Sequence, residues 1–122
     1  MILVDTSVWI DHLHRAEPGL VRFLDDALVA THPMVIGELA LGSMRRRREV
    51  IGLLSALPHV VTATHEECLT LVESQDLPGR GLSLVDAHLL ASARLTPDAR
   101  IWTRDKRLAA AASDLSLSWA GP

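Results

Sequence analysis

The chain begins with a short, continuously apolar run, Ile2-Leu3-Val4, which ends at the charged residue Asp5. A strand with one face in water alternates apolar and polar residues, whereas a strand buried on both faces reads as an unbroken apolar run. Strands of the second kind occur in parallel sheets that helices cover on both faces. The first residues therefore point to the α/β class, in which helices and strands alternate along the chain.

The rest of the chain alternates as this class requires. We predict helices over residues 7–14, 18–29, 33–43, 46–56, 64–75, 83–95 and 106–112, and strands over residues 59–61, 100–103 and 115–119. Thr64 and Glu67 have the spacing of a helix capping box, and Ser83 and Asp86 repeat it. Because the chain shows no repeat or linker, we predict a single α/β domain over residues 1–122 with a parallel sheet covered on both faces.

The composition is that of an aliphatic protein without a disulfide. Apolar residues make up 48% of the 122 residues, which is too many for a disordered chain. A single cysteine, Cys68, cannot form an internal disulfide, and we expect it to be an inert core thiol. No basic leader precedes Ile2, and no apolar run approaches the roughly 20 residues of a membrane span. We therefore expect a soluble, cytoplasmic protein that does not bind a membrane.

Charge is distributed unevenly along the chain. The net charge is −3, from 12 basic and 15 acidic residues, whereas domains that bind nucleic acids are usually basic overall. Four consecutive arginines nevertheless form a local basic cluster, Arg45, Arg46, Arg47 and Arg48. This cluster is either a solvated helix face or a surface that contacts the phosphates of a nucleic acid, and the sequence leaves both interpretations open.

Two carboxylates stand in apolar segments of predicted helices. Glu38 is the only charged residue in 34–44, and its neighbours on the helix are apolar. Asp86 is the only acid in 81–95. Since charged side chains are rarely buried unless they are paired or bound to a metal, both residues are candidate ligands.

Two further acids follow predicted strands. Asp5 ends the first strand, and Asp105 follows the strand over 100–103. The carboxyl ends of parallel strands share one edge, so we expect these two acids to converge there with Asp86 and Glu38. Two bare carboxylates ~4 Å apart repel by ~4 kcal/mol at an effective dielectric constant of 20. Mg²⁺ or Mn²⁺, which prefer oxygen ligands, would remove this repulsion.

Three of the four acids also have a purely structural alternative. Asp5 and Asp105 could cap the helices that follow them, and Asp86 could complete a capping box with Ser83. Glu38 has no capping role, so its position is explained less well by structure alone.

The motifs around these acids resemble those of PIN-domain nucleases. They are Val4-Asp5-Thr6-Ser7-Val8-Trp9-Ile10, Glu38-Leu39 before Gly42, Val85-Asp86-Ala87-His88 and Thr103-Arg104-Asp105. The resemblance covers nearly the whole chain in order, and it points to the short subgroup that includes the VapC toxins of VapBC toxin–antitoxin pairs.

This resemblance implies a PIN-like α/β/α sandwich with a central parallel sheet. It also implies a metal-dependent endoribonuclease that hydrolyses structured RNA, either tRNA or rRNA, as the toxin of a type II toxin–antitoxin system. The catalytic residues that it assigns as ligands of Mg²⁺ or Mn²⁺ are Asp5, Glu38, Asp86 and Asp105. Thr6 and Thr103 match the hydroxyl positions that support these acids. Charge, rather than the resemblance, makes Arg45–Arg48 the expected contacts with RNA phosphates.

The same resemblance implies a small VapB-like antitoxin as the partner, and we also expect a homodimer. Apolar residues cluster in the first two predicted helices, where they could form a groove for this partner. They are Trp9, Ile10, Leu13, Leu20, Phe23 and Leu24. Trp9 could instead belong to the core.

Two other functions remain open at this stage. A Mg²⁺-dependent phosphatase or phospho-receiver also clusters acids at a strand end, but it would require adjacent acids or Asp-x-Asp where this chain has Asp5-Thr6-Ser7. A non-catalytic PIN-like interaction module would have no need of four intact acids. The histidines show no zinc-type spacing, and we interpret His88 as a helix-face residue.

Overall fold

The structure is a computed structural model that describes residues 1–120, in which a three-stranded parallel sheet is flanked by seven helices. The strands are β1 (Ile2–Val4), β2 (Val29–Ala30) and β3 (Arg100–Trp102). The helices are α1 (Thr6–His14), α2 (Pro18–Asp25), α3 (Pro33–Leu41), α4 (Arg47–Ser55), α5 (His65–Ser74), α6 (Leu84–Leu95) and α7 (Lys106–Asp114). The predicted α/β/α architecture with a parallel sheet is confirmed.

The central strand is β1, and the strand order is β2-β1-β3. Leu3 pairs with Ala30 on one side and with Ile101 on the other, and all three residues of β1 are buried. The backbone N–H of Asp5 donates to the carbonyl of Trp102 at 2.9 Å, so the pairing with β3 continues to the first acid. The apolar run at the start of the chain is therefore a buried parallel strand, as predicted.

Three predicted elements differ from the structure. The helix predicted over 18–29 ends at Asp25, and Val29 instead begins β2. Ala27 adopts a positive φ of 56°, which ends the helical course, and pairing with β1 then overrides the helical pattern. The strands predicted over 59–61 and 115–119 are reduced to isolated bridges, one from His59 to Thr31 and one from Ser118 to Ile101. These bridges extend the parallel pairing at the two outer edges of the sheet.

The core is aliphatic apart from Trp9 and Trp102, and α6 runs through it. All residues from 87 to 93 are buried, so this helix has a fixed position relative to the sheet. Cys68 is completely buried, and burial raises the pKa of its thiol, as expected for an inert core cysteine. None of the helices in residues 1–120 has the length and apolar character needed to cross a membrane.

Candidate active site

Asp5 lies at the carboxyl end of the central strand, where it is 6% exposed. Its Oδ2 accepts hydrogen bonds from the hydroxyls of Thr103, at 2.7 Å, and Ser7, at 2.9 Å. Although Asp5 occupies the N-cap position of α1, its side chain makes no capping hydrogen bond. The helix-capping alternative therefore does not explain this buried carboxylate.

The hydroxyls of Ser7 and Thr103 join the segments that follow β1 and β3. Ser7 Oγ also accepts from the backbone N–H of Arg104, and Thr103 Oγ1 accepts from the backbone N–H of Asp105, at 3.1 and 3.0 Å. Each hydroxyl donates its one proton to the same oxygen of Asp5, and these two hydrogen bonds orient the carboxylate. The structure thus connects Asp5 and Asp105 through Thr103.

Asp105 has the capping role that the sequence left open. Its Oδ1 accepts from the backbone N–H groups of Arg107 and Leu108 at the start of α7, at 2.8 and 3.1 Å. Among residues 1–120, no group donates a hydrogen bond to its Oδ2. Asp105 is also exposed to solvent. Capping therefore occupies one oxygen and leaves the other for a ligand.

Asp86 is half-buried in the first turn of α6, where it forms the predicted capping box with Ser83. Its Oδ2 accepts from the backbone N–H of Ser83, and its own N–H donates to Ser83 Oγ, both at 3.0 Å. Burial raises the pKa of Asp86 despite these bonds, and the negative charges of Asp105 and Asp5 raise it further. Three of the predicted carboxylates therefore lie within electrostatic range of one another.

Glu38 reaches the same edge of the sheet through Thr6. Its Oε1 accepts a hydrogen bond from Thr6 Oγ1 at 2.7 Å, and Thr6 directly follows Asp5. Glu38 itself is exposed, because Met34 and Leu41 beside it on α3 also face solvent, the latter with 91% exposure. The expectation of a charge in buried apolar surroundings was wrong for Glu38, since an apolar sequence neighbourhood on a short helix need not be buried.

Asp5, Asp86 and Asp105 lie within electrostatic range of one another and Glu38 is bonded to Thr6, but the four acids do not form a closed cage. Within residues 1–120, no three acidic, histidine or cysteine side chains lie close enough together to enclose one ion. The donor set still fits a hard cation, because Mg²⁺ commonly binds one or two carboxylates and completes its shell with water and substrate phosphate. A divalent cation would bind the unused oxygen of Asp105 and would offset the negative charges of Asp105 and Asp5 that act on Asp86.

Two site residues were missed by sequence reasoning. Ser7 was overlooked although it lies within the Asp5-Thr6-Ser7 motif, and only the fold shows that it reaches both Asp5 and the segment after β3. No sequence pattern indicated that Arg107 lies near the site. Its side chain lies over Gly81, where a Cβ would stand 2.9 Å from the Arg107 guanidinium, in the loop that leads to Ser83. Arg107 thus borders the acidic edge next to Asp105.

The four predicted RNA-binding arginines are all exposed, and none of them forms an ion pair with a carboxylate of residues 1–120. Arg45 lines a cleft that also contains Glu38, whereas Arg46 adopts a left-handed conformation immediately before α4. Arg104, by contrast, pairs with Asp11 and Glu17. Within residues 1–120, positive charge near the acids is therefore supplied by Arg45, in the same cleft as Glu38, and by Arg107 beside Asp105.

The predicted partner groove is only partly present. Leu20 is completely buried in the core, and Phe23 packs edge-on against Trp102 and Trp119, so neither lines a surface groove. An apolar cleft of about 320 Å³ does lie between α1, α2 and α4. Its lining is Trp9, His12, Leu13, Leu24, Val50, Leu53, Leu54 and Leu57. Ile10 lines the separate cleft that contains Glu38. The contribution of α4 could not be predicted from the first two helices.

Known proteins are similar to this chain over almost its whole length. The sequence profile of the PIN domain matches residues 2–114. Two relatives, from two strains of Mycobacterium tuberculosis and both named Ribonuclease VapC32, are 52% identical to the chain over 120 residues. The matched region covers 98% of this chain and 97% of each relative. The chain therefore belongs to the PIN-domain family, among the proteins related to VapC ribonucleases.

Proposed function

We propose that this protein is a Mg²⁺- or Mn²⁺-dependent endoribonuclease, which acts on structured RNA such as tRNA or rRNA as the toxin of a type II toxin–antitoxin system. The observation that carries the proposal is the position of Asp5. It is a buried carboxylate at the end of the central strand, held by two hydroxyls and close enough to Asp86 for its charge to raise the pKa of that residue. The names of the two relatives support ribonuclease activity.

The residues that would hold the metal are Asp5, Glu38, Asp86 and Asp105. When bound, the cation would polarise the scissile phosphate and activate a water molecule. The chain itself supplies orientation: Ser7 and Thr103 fix Asp5, Thr6 fixes Glu38, and the start of α7 fixes Asp105. Such preorganisation matters because small displacements of catalytic groups lower the rate strongly.

Arg45–Arg48 would contact RNA phosphates that flank the scissile bond. The chain is acidic overall and the site is made of carboxylates, so these flanking phosphates need local positive charge. We expect Arg45→Ala to reduce the slope of log affinity against log salt by about 0.7–0.9. Arg22→Ala, which removes an exposed arginine on α2, should leave the slope unchanged. Equal slopes for wild type and Arg45→Ala would assign Arg45 to the solvated surface.

The apolar cleft between α1, α2 and α4 would receive an amphipathic helix of a VapB-like antitoxin. Leu53 lines this cleft and is 66% exposed, which makes it a suitable probe. Leu53→Glu should abolish co-purification with a co-expressed VapB-like antitoxin from the same genome, and Leu69→Glu on the exposed face of α5 should not. If both variants bind the antitoxin normally, the partner uses another surface. A homodimer and a cytoplasmic location stay predictions, the first testable by analytical ultracentrifugation.

Metal dependence is tested with the purified protein and labelled tRNA and rRNA. Wild type should cleave with Mg²⁺ or Mn²⁺, lose activity with a chelator and regain it when metal is restored. Asp5→Asn and Glu38→Gln should be inactive but folded, while Glu73→Gln, on the exposed surface of α5, should retain activity. Cleavage that persists in the chelator, or in Asp5→Asn at wild-type rate, would refute the proposed metal chemistry.

A further inference from the structure

A second cleft of about 380 Å³ lies between α1 and the end of α3. Its lining residues are Ile10, Leu13, His14, Glu38, Leu39, Gly42, Ser43, Met44 and Arg45. Glu38 therefore belongs both to this cleft and to the acidic edge, where Thr6 binds its carboxylate. Whatever occupies the cleft therefore contacts one of the proposed metal ligands.

The lining combines apolar surface with planar basic groups. Ile10 and Leu13 are 45% and 41% exposed, and Met44, which also lines the cleft, is half-buried. His14 and Arg45 are exposed side chains with flat, nitrogen-rich ends. Imidazole and guanidinium planes are groups on which proteins stack the unpaired bases of RNA.

We propose that this cleft binds one unstacked nucleobase of the RNA, adjacent to the scissile phosphate. The inference rests on the proposed function, because it takes the acidic edge as the place where the phosphodiester is cut. A nucleotide has an apolar base and an anionic phosphate, and the cleft offers exposed apolar side chains together with an arginine that pairs with no carboxylate of residues 1–120. The ligand and the lining are therefore complementary in both respects.

A protein helix fits this cleft less well than the neighbouring one. The cleft around Leu53 is lined by apolar residues with His12 as the one exception, whereas the cleft around Glu38 contains an acid, a histidine, a serine and an arginine. Leu13 lines both clefts, so they lie side by side along α1. This division assigns the apolar cleft to the partner and the mixed cleft to the substrate.

Base binding in this cleft would restrict cleavage to unpaired segments. A base within a helix of RNA is stacked and paired, and only loops, bulges and ends allow it to turn outward. The enzyme would therefore cut structured RNA in its single-stranded parts, and it would distinguish RNA sites by the identity or size of one base.

The inference is tested by binding and cleavage of a fluorescently labelled RNA hairpin in which one loop nucleotide at a time is abasic. We expect one abasic position to weaken binding by wild type by roughly 5- to 150-fold, the range for loss of a stacked base. His14→Ala and Met44→Ala should weaken binding of the intact hairpin similarly and add little on that abasic RNA. Leu69→Ala, far in sequence from the cleft and 50% exposed, is the control and should behave as wild type.

Three outcomes would overturn the inference. The first is binding that tolerates an abasic site at every loop position. The second is normal RNA binding by both cleft variants. The third is loss of antitoxin binding by those variants with unchanged RNA binding, which would assign the cleft to the protein partner. Binding is measured without divalent metal and cleavage is measured after Mg²⁺ or Mn²⁺ is added. A base-dependent affinity with no cleavage in the presence of metal would support base binding in the cleft while refuting the proposed nuclease function.

Discussion

Acidification should destabilise the protein through His32, the residue that caps the helix carrying Glu38. His32 is completely buried, and its Nδ1 accepts from the backbone N–H of Met34 at 3.0 Å, at the start of α3. Its Nε2 lies 2.8 Å from Ser92 Oγ, which also accepts from the backbone N–H of Ala63. A ring whose Nδ1 accepts carries its proton on Nε2, so this network holds the neutral imidazole.

Protonation would place a second proton on the atom that caps α3 and would bury a charge. Burial therefore lowers the pKa of His32 from 6.5 to about 4, with a smaller contribution from the positive charges of His88 and His59. The unfolded chain binds the proton more tightly than the folded one, so stability is full above the ordinary pKa and is lost as the pH falls toward 4. A difference of roughly 2.5 pKa units corresponds to about 3 kcal/mol, of which about 2 kcal/mol is lost by about pH 5.

Urea denaturation between neutral pH and about pH 5 measures this loss. His32→Asn keeps a side-chain oxygen that caps helices well but cannot titrate in this range, so its stability should vary less with pH than that of wild type, by about 2 kcal/mol. His14→Asn, which changes an exposed histidine, should retain the wild-type pH dependence. The reasoning fails if His32→Asn and wild type lose equal stability, or if NMR titration gives His32 a pKa near 6.5.

Three further predictions concern the acidic edge. Thr103→Val removes the hydroxyl that donates to Asp5 at 2.7 Å. The free energy of unfolding in urea should fall by about 1.5–3 kcal/mol, the range for a hydrogen bond to a charged group, and a fall below about 0.5 kcal/mol would contradict this. Asp86→Asn keeps the capping acceptor but removes a carboxylate with a raised pKa, so the metal-free variant should be at least as stable as wild type at neutral pH. This gain in stability should disappear below pH 3.8, where the carboxyl is protonated in both the folded and the unfolded chain. Mn²⁺ should no longer raise the Tm of the variant. A wild-type Tm increase with Mn²⁺ in this variant would exclude Asp86 as a ligand. Gly81→Ala adds a Cβ at a residue with a φ of +76° and places it 2.9 Å from the Arg107 side chain. Thermal unfolding should show that the variant protein is less stable by about 1–2 kcal/mol, and unchanged stability would show that the loop adapts freely.

Much of the architecture followed from local patterns. The apolar run before Asp5 is the buried central strand, and Ser83 with Asp86 forms the capping box that begins α6, both as predicted. Such features can be predicted because the relevant interactions lie within a few residues of each other. The pattern of polar and apolar residues indicates whether a strand is buried, and the spacing of cap residues indicates where a helix begins. The order of the four acids along the chain was likewise sufficient to reveal the resemblance to PIN-domain nucleases.

The remaining features depend on which distant segments meet. Val29 leaves the predicted helix because β1 offers it a strand partner, and Ser7 joins the site because the segment after β3 lies against it. Leu20 is buried in the core and not in a groove, whereas Leu53 on α4 lines the apolar cleft between α1, α2 and α4. These outcomes are set by packing between residues far apart in sequence, so no local pattern encodes them. The sequence by itself determined most of the elements and singled out the four candidate acids, and the tertiary structure decided how hydroxyls, arginines and apolar side chains surround them.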